Sequence, residues 1–142
     1  DIDIGITSDY DKMQVNVIKN TFDDRDIPIT NIVYPNCYSH RAPLPYMIYE
    51  TMKQLSITSI HDIVKVDSTL HGIKEGSNAG CKTIGIARWS PLMGIYNPSD
   101  PLQEEIDTKL MIVREELVNA GADYVIDTLD ELPGLLKDIS YE

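Results

Sequence analysis

Short apolar runs alternate along the chain with stretches in which apolar positions recur every three or four residues. Runs of the first kind fit strands and stretches of the second fit amphipathic helices. Asp3 to Thr7 reads as a short buried strand, and Asp9 to Phe22 as a helix with Met13, Val17, Ile18 and Phe22 inward. After an acidic loop, Ile29 to Tyr34 is β-branched and aromatic, which favours a strand. Pro35 to Pro45 is rich in turn formers, and Pro45 opens a helix through Leu55 with Met47, Ile48, Met52 and Leu55 inward. Ile60 to Val66 is the strongest strand pattern, apolar enough for burial on both faces. The spacing then predicts a helix from Leu70 to Ala79 with Gly80 as its C-cap, and a strand from Lys82 to Ala87. Arg88 to Pro101 is a long loop. Leu102 to Ala120 is a long helix with Leu102, Ile106, Leu110, Val113 and Leu117 on one stripe. Tyr124 to Ile126 is a short strand, and Leu129 to Ile139 a last helix broken near Pro133 and Gly134.

Strict alternation of strand and helix predicts an α/β fold, a parallel sheet covered by helices on both faces. No linker, repeat or low-complexity tract interrupts it, so residues 1–142 read as a single domain. In open sheets of this kind ligands bind beyond the C-terminal ends of the strands. Candidate chemistry is therefore sought just after each strand.

Composition narrows the partners. Twelve basic residues against 23 acidic ones give a net charge of −11, with no basic cluster to displace counterions from a nucleic acid. No apolar run reaches the roughly 18–20 residues of a membrane-spanning helix, and the chain does not open as a signal peptide would. Cys37 and Cys81 lie far apart and lack metal-ligand spacing, which fits reduced thiols and a cytoplasmic protein.

After the first strand come Thr7, Ser8, Asp9 and Tyr10. A hydroxyl there, beside a helix N-terminus, suits a phosphate oxygen; Ser8 or Asp9 equally suits an ordinary helix cap. After the second come His40 and Arg41, the latter suited to clamping a phosphate or simply to solvent. After the third come Asp67, Ser68 and Thr69, where a carboxylate fits Mg²⁺ or caps the next helix. Arg88, Trp89 and Ser90, and Asp127 with Thr128, come after the last two strands as rim or caps. Asp1 and Asp3 have no strand before them to present them at a sheet edge. The glycines of Gly72-Ile73-Lys74-Glu75-Gly76 fit neither phosphate-loop fingerprint.

The stretch VKVDSTLHGIKEGSNAGCKTIGI, Val64 to Ile86, resembles the haloacid dehalogenase superfamily, and within it the phosphonoacetaldehyde hydrolase family. GITSDYDKM, PLPYMIYETMKQL and NAGADYVIDTLDELPGLLKDI agree with that family in the same order, so the resemblance runs from about Gly5 to Ile139. It implies a Rossmann-like three-layer core, an inserted cap, Mg²⁺ as cofactor, a small phosphonate or phosphate substrate, and a homodimer in a full-length form. It further implies cleavage of a carbon–phosphorus bond through an aspartyl-phosphate, with a cap lysine forming an imine to the substrate.

Carried over residue by residue, Ser8 matches the phosphate-binding Thr, with Thr7 beside it, and Tyr10 matches the Tyr of that segment. Arg41 stands as the basic phosphate ligand, although Ala42 intervenes before Pro43 where the family has none. Asp67 and Ser68 fall on the metal motif, with Ser68 where the family carries a metal-binding Asp. No residue matches the nucleophile or the imine-forming lysine. The strand bearing the nucleophile, which lies mid-sheet in this superfamily, and the cap have no counterpart. The chain begins with Asp1, and the expectation is a C-terminal part of a longer core, with a sheet completed by another chain or a rearranged fold as the alternatives. On this reading the chain is half of a phosphonatase-like hydrolase, inactive by itself. A non-catalytic phosphate-binding or protein-interaction relative, and a general phosphatase of the same superfamily, are the alternatives.

Overall fold

A computed structural model describes residues 2–35, 41–94 and 103–139. Among these, five parallel strands and five helices alternate: β1 (Gly5–Thr7), α1 (Lys12–Asp23), β2 (Asn31–Val33), α2 (Tyr46–Leu55), β3 (Val64–Asp67), α3 (Leu70–Ala79), β4 (Lys82–Ile86), α4 (Gln103–Asn119), β5 (Tyr124–Ile126) and α5 (Leu132–Ile139). The strands form two parallel sheets. β1 pairs with β2, placing Ile6 opposite Ile32; β3, β4 and β5 pair in that order, placing Val66 opposite Ile84 and Ile84 opposite Tyr124. Among the described residues no backbone hydrogen bond joins β1 to β3.

Strand alternation sorts the three-stranded sheet into two covered faces. Ile84, Ile86 and Ile126, with Val64 and Val66, pack beneath Leu132, Leu135, Leu136 and Ile139 of α5. On the other face Ile73 of α3 meets Ile106, Leu110, Val113 and Leu117 of α4, the stripe that helical spacing predicts. Leu117 approaches Gly85 so closely that a Cβ there would lie 3.1 Å from its Cδ1. Leu102 lies outside the described residues.

Three elements differ from the sequence pattern. Ile60 to Asp62 is a 3-10 turn, held by Ser59 Oγ, which accepts from the His61 N–H at 3.2 Å. Ile60 and Ile63 are apolar because they pack on Ile48, Ala79 and Cys81, and the strand itself is Val64–Asp67. In α1 the inward residues are Val15, Ile18 and Phe22, whereas Met13 is 80% and Val17 66% exposed. Two positions along a helix turn it by about 200°, so Met13 and Val17 lie opposite Val15. At the C-terminus the irregularity precedes the helix. Leu129–Glu131 is a 3-10 turn, and Pro133 falls in the first turn of α5, where no N–H is needed. No described helix is long and apolar enough to cross a membrane.

Candidate functional site

The chain leaves β1 through a loop, not directly into a helix. The Ser8 N–H still donates to the Val33 carbonyl at 3.0 Å, extending the β1–β2 ladder by one residue. Ser8 Oγ then accepts from the Tyr10 N–H at 3.2 Å. The cap of α1 is Asp11, neither Ser8 nor Asp9. Asp11 Oδ1 accepts from the Gln14 N–H at 3.0 Å, and Gln14 Oε1 accepts from the Asp11 N–H at 3.1 Å. With capping done by Asp11, the half-buried Ser8 keeps its hydroxyl proton unused among the described residues, and Tyr10 is 54% exposed beside it.

The loop after β2 comes back to this point. The Ala42 N–H donates to Asp9 Oδ1 at 3.3 Å, placing exposed Arg41 one residue from a direct link to the β1 loop. A turn with the Leu44 N–H donating to the Arg41 carbonyl, a cis Ala42–Pro43 peptide, and a 2.8 Å bond from Asn78 Nδ2 to the Pro43 carbonyl fix the path into α2. His40 and Cys37 lie outside the described residues.

At the end of β3, Asp67 turns beneath α3. Its Oδ1 accepts from both the N–H and the hydroxyl of Thr69 at 2.8 Å, and its Oδ2 lies 3.3 Å from Lys65 Nζ. Thr69 is the cap of α3, its Oγ1 accepting from the Gly72 N–H at 3.0 Å. Ser68, half-buried, is the first residue beyond β3. At the end of β5 the Asp127 carboxylate is gripped from both sides by Arg114, with Nε at 2.9 Å, which pushes the guanidinium pKa up. The Asp127 and Thr128 N–H groups both donate to Glu131 Oε1 at 3.0 Å, so this segment caps the 3-10 turn that leads into α5.

Two functional candidates escaped the sequence. Lys65, inside the strand that the pattern predicts from Ile60 to Val66, reaches across the break between the sheets. Its Nζ lies 2.6 Å from Thr7 Oγ1 and 2.9 Å from Glu75 Oε2, with a side chain 11% exposed. Glu75 is 1% exposed; burial holds its carboxyl above the ordinary range, opposed chiefly by the Lys65 charge. The signal was available in the helical spacing. Glu75 falls among Gly72, Ile73, Gly76 and Ala79, the buried positions of α3.

The donors at the β3 end do not fit a divalent cation unaided. The Asp67 carboxylate is occupied by Thr69 and Lys65, and Ser68 offers a neutral hydroxyl, whereas Mg²⁺ is usually held through one or two carboxylates. The described residues contain no group of three His, Cys, Asp or Glu able to hold a metal.

No family model matches the chain. It is 37% identical, over 98% of its length, to a phosphonoacetaldehyde hydrolase from Parabacteroides distasonis, of which it spans 53%. It is 29% identical to a bifunctional phosphonoacetaldehyde hydrolase/aminoethylphosphonate transaminase from Clostridioides difficile, spanning 22% of that protein. In fold it is similar to a phosphonoacetaldehyde hydrolase-like protein from Oleispira antarctica, with a TM-score of 0.90 at 24% identity, over 99% of this chain and 51% of that one. A haloacid dehalogenase-like protein from Agrobacterium tumefaciens superposes with a TM-score of 0.71 at 20% identity, over 95% of this chain and 54% of that one. The chain thus spans about half the length of the single-function hydrolases it matches. In sequence the chain is similar to about half of a phosphonoacetaldehyde hydrolase, and in fold to a haloacid dehalogenase-like protein.

Proposed function

We propose that this chain is the phosphate-holding half of a hydrolase that splits the carbon–phosphorus bond of phosphonoacetaldehyde. The observation that carries the reading is the break in the sheet. β1 and β3 are each paired on one side only, in sheets that are each parallel, and the Lys65 side chain on β3 reaches Thr7 at the end of β1. A further parallel strand between them would complete one continuous sheet, and its C-terminal end would emerge between Ser8 and Ser68. The nucleophilic Asp and the imine-forming lysine then come from polypeptide beyond these 142 residues.

In this arrangement the Ser8 hydroxyl donates to a phosphonate oxygen, and Arg41 supplies the opposing charge in two N–H donors suited to that group. Thr7 holds Ser8 in place, and Tyr10 covers the substrate from the loop. The carbon–phosphorus bond breaks as the Asp takes the phosphoryl group. The electron pair passes into the imine, whose protonation and hydrolysis give acetaldehyde. Water then releases phosphate from the Asp. A divalent cation, if used, needs oxygen ligands beyond Asp67 and Ser68.

Ser68 and the already occupied Asp67 favour a second reading, a relative that binds phosphate without turnover. One experiment separates them. The chain is combined with the part of the Parabacteroides hydrolase that it does not span, and phosphate and acetaldehyde are assayed. Equal release of both supports the hydrolase. Phosphate binding without release supports the second reading, and neither binding nor release defeats both.

A further inference from the structure

We infer that Lys65 is a positioning residue that sets the phosphate-contacting end of β1 against β3 and α3. An ammonium has three N–H donors, and here three acceptors on three elements take them: Thr7 Oγ1 on β1 at 2.6 Å, Glu75 Oε2 on α3 at 2.9 Å and Asp67 Oδ2 on β3 at 3.3 Å. The Thr7 hydroxyl in turn donates to Glu75 Oε2 at 3.3 Å, so the β1 contact is shared by both members of the ion pair.

The sequence builds this device through two glycines one turn apart. A Cβ at Gly76 would lie 2.8 Å from Lys65 Cβ and 2.3 Å from Thr83 Cγ2, and one at Gly72 would overlap the Asp67 carboxylate. Without those side chains α3 settles onto β3, which carries Glu75 to the Lys65 ammonium. Glu75 Oε1 is also buried, with no partner among the described residues. A buried ion pair is commonly no more stabilising than apolar side chains of its size, so net stability is a poor reason for this one. Its geometric effect is specific. Lys65 is one of the few polar links from β3 to β1, and the residue after Thr7 is Ser8. All three Lys65 donors are taken by protein acceptors, so the lysine acts through Thr7 and not on a ligand directly. The inference rests on the reading of Ser8 as a phosphate contact, but its test does not.

The test is amide hydrogen exchange on the 142-residue chain, read at Ser8, whose N–H bonds to Val33 in the small sheet, and at Ala87, whose N–H bonds to Ile126 in the large one. Lys65→Met keeps the stem and removes the charge. The expected result is roughly tenfold faster exchange at Ser8 with Ala87 unchanged, and recovery in Lys65→Arg. An unchanged Ser8 amide overturns the inference. If Lys65→Met loosens both sheets, Thr7→Val decides, because it removes only the β1 side of the tie. Faster exchange at Ser8 alone then supports positioning, and no change overturns it. Inorganic phosphate is titrated separately into the wild type and Lys65→Met, each combined with the complementary hydrolase part. Weaker binding in the variant extends the inference to the ligand. Absence of binding in the wild type counts against the functional reading, and the exchange result still stands.

Discussion

Lys65 Nζ and Thr7 Oγ1 are 2.6 Å apart, and this contact joins two sheets between which no described backbone hydrogen bond runs. The link comes from a side chain on the most buried strand pattern in the sequence. It couples the packing of α3 to the position of the β1 loop, so changes in that packing should reach the end of β1 that leads into Ser8.

The close approach of α3 makes its glycines demanding. Gly76→Ala drives a methyl to 2.3 Å from Thr83 Cγ2, and overpacking of this kind costs about 1–3 kcal/mol, outweighing the roughly 1 kcal/mol that alanine gains in helix propensity. Gly134→Ala meets nothing within 4 Å and should stabilise by about 0.5–1 kcal/mol. Urea denaturation of the two variants should therefore give opposite signs. Equal signs would show that α3 does not lie this close to β3.

Glu75 should leave a mark on the pH dependence of stability. Burial raises its folded pKa above the unfolded one, so the folded chain binds the proton more tightly. Its stabilising share is fully present below the unfolded pKa and is lost as pH rises through the folded one. Glu75→Gln does not titrate. Measured from about pH 4 to pH 7, the stability difference should move in favour of the variant as pH rises. A flat difference, or one with the opposite slope, contradicts the buried placement.

The Arg114–Asp127 pair, by contrast, is solvent-facing, with side chains 45% and 32% exposed. Its geometry is good, but water and salt screen it, and Arg114→Met should cost no more than about 1 kcal/mol, less in high salt. A loss of several kcal/mol, insensitive to salt, would mean that the pair is buried in an assembly.

Ser68 gives a gain-of-function prediction. Ser68→Asp adds a carboxylate at the end of β3, where Asp67 is already occupied, and should tighten Mg²⁺ binding about tenfold in the reconstituted pair, measured by calorimetry. Unchanged affinity would place any cation elsewhere. Ser8→Ala should leave Mg²⁺ binding alone and weaken phosphate binding by a comparable factor, through loss of one hydrogen bond to a charged group.

Much of the fold was legible because its cues are local. The end of α3 comes from Gly80, although its cap is Thr69 and not Asp67 or Ser68, and the α4 stripe from Ile106 to Leu117 comes from spacing alone. Ile60 and Ile63 misled because apolar residues that pack against Ile48 and Cys81 look the same in sequence as strand residues. The α1 face misled because Asp11, not Asp9, starts the helix, and the burial of Val15 is decided by tertiary packing. At the candidate site, Ser8, Tyr10 and Arg41 were proposed from their places after strands and from the resemblance. Lys65 and Glu75 were not, because a charge on a buried strand has meaning only once its partner on another element is known. Nor was Asp67 read as serving Thr69 and Lys65, although each lies two residues from it, Thr69 in a local turn and Lys65 on the same face of the strand.

If the chain is half of an enzyme, the break between β1 and β3 receives the polypeptide that completes it. The most direct test is amide hydrogen exchange of the labelled chain before and after addition of the part of the Parabacteroides hydrolase that it does not span. The expected result is new protection on the edge of β1 away from β2 and on the edge of β3 away from β4, with β5 unchanged. Protection at the outer edges of β2 or β5 instead, or none, would contradict it.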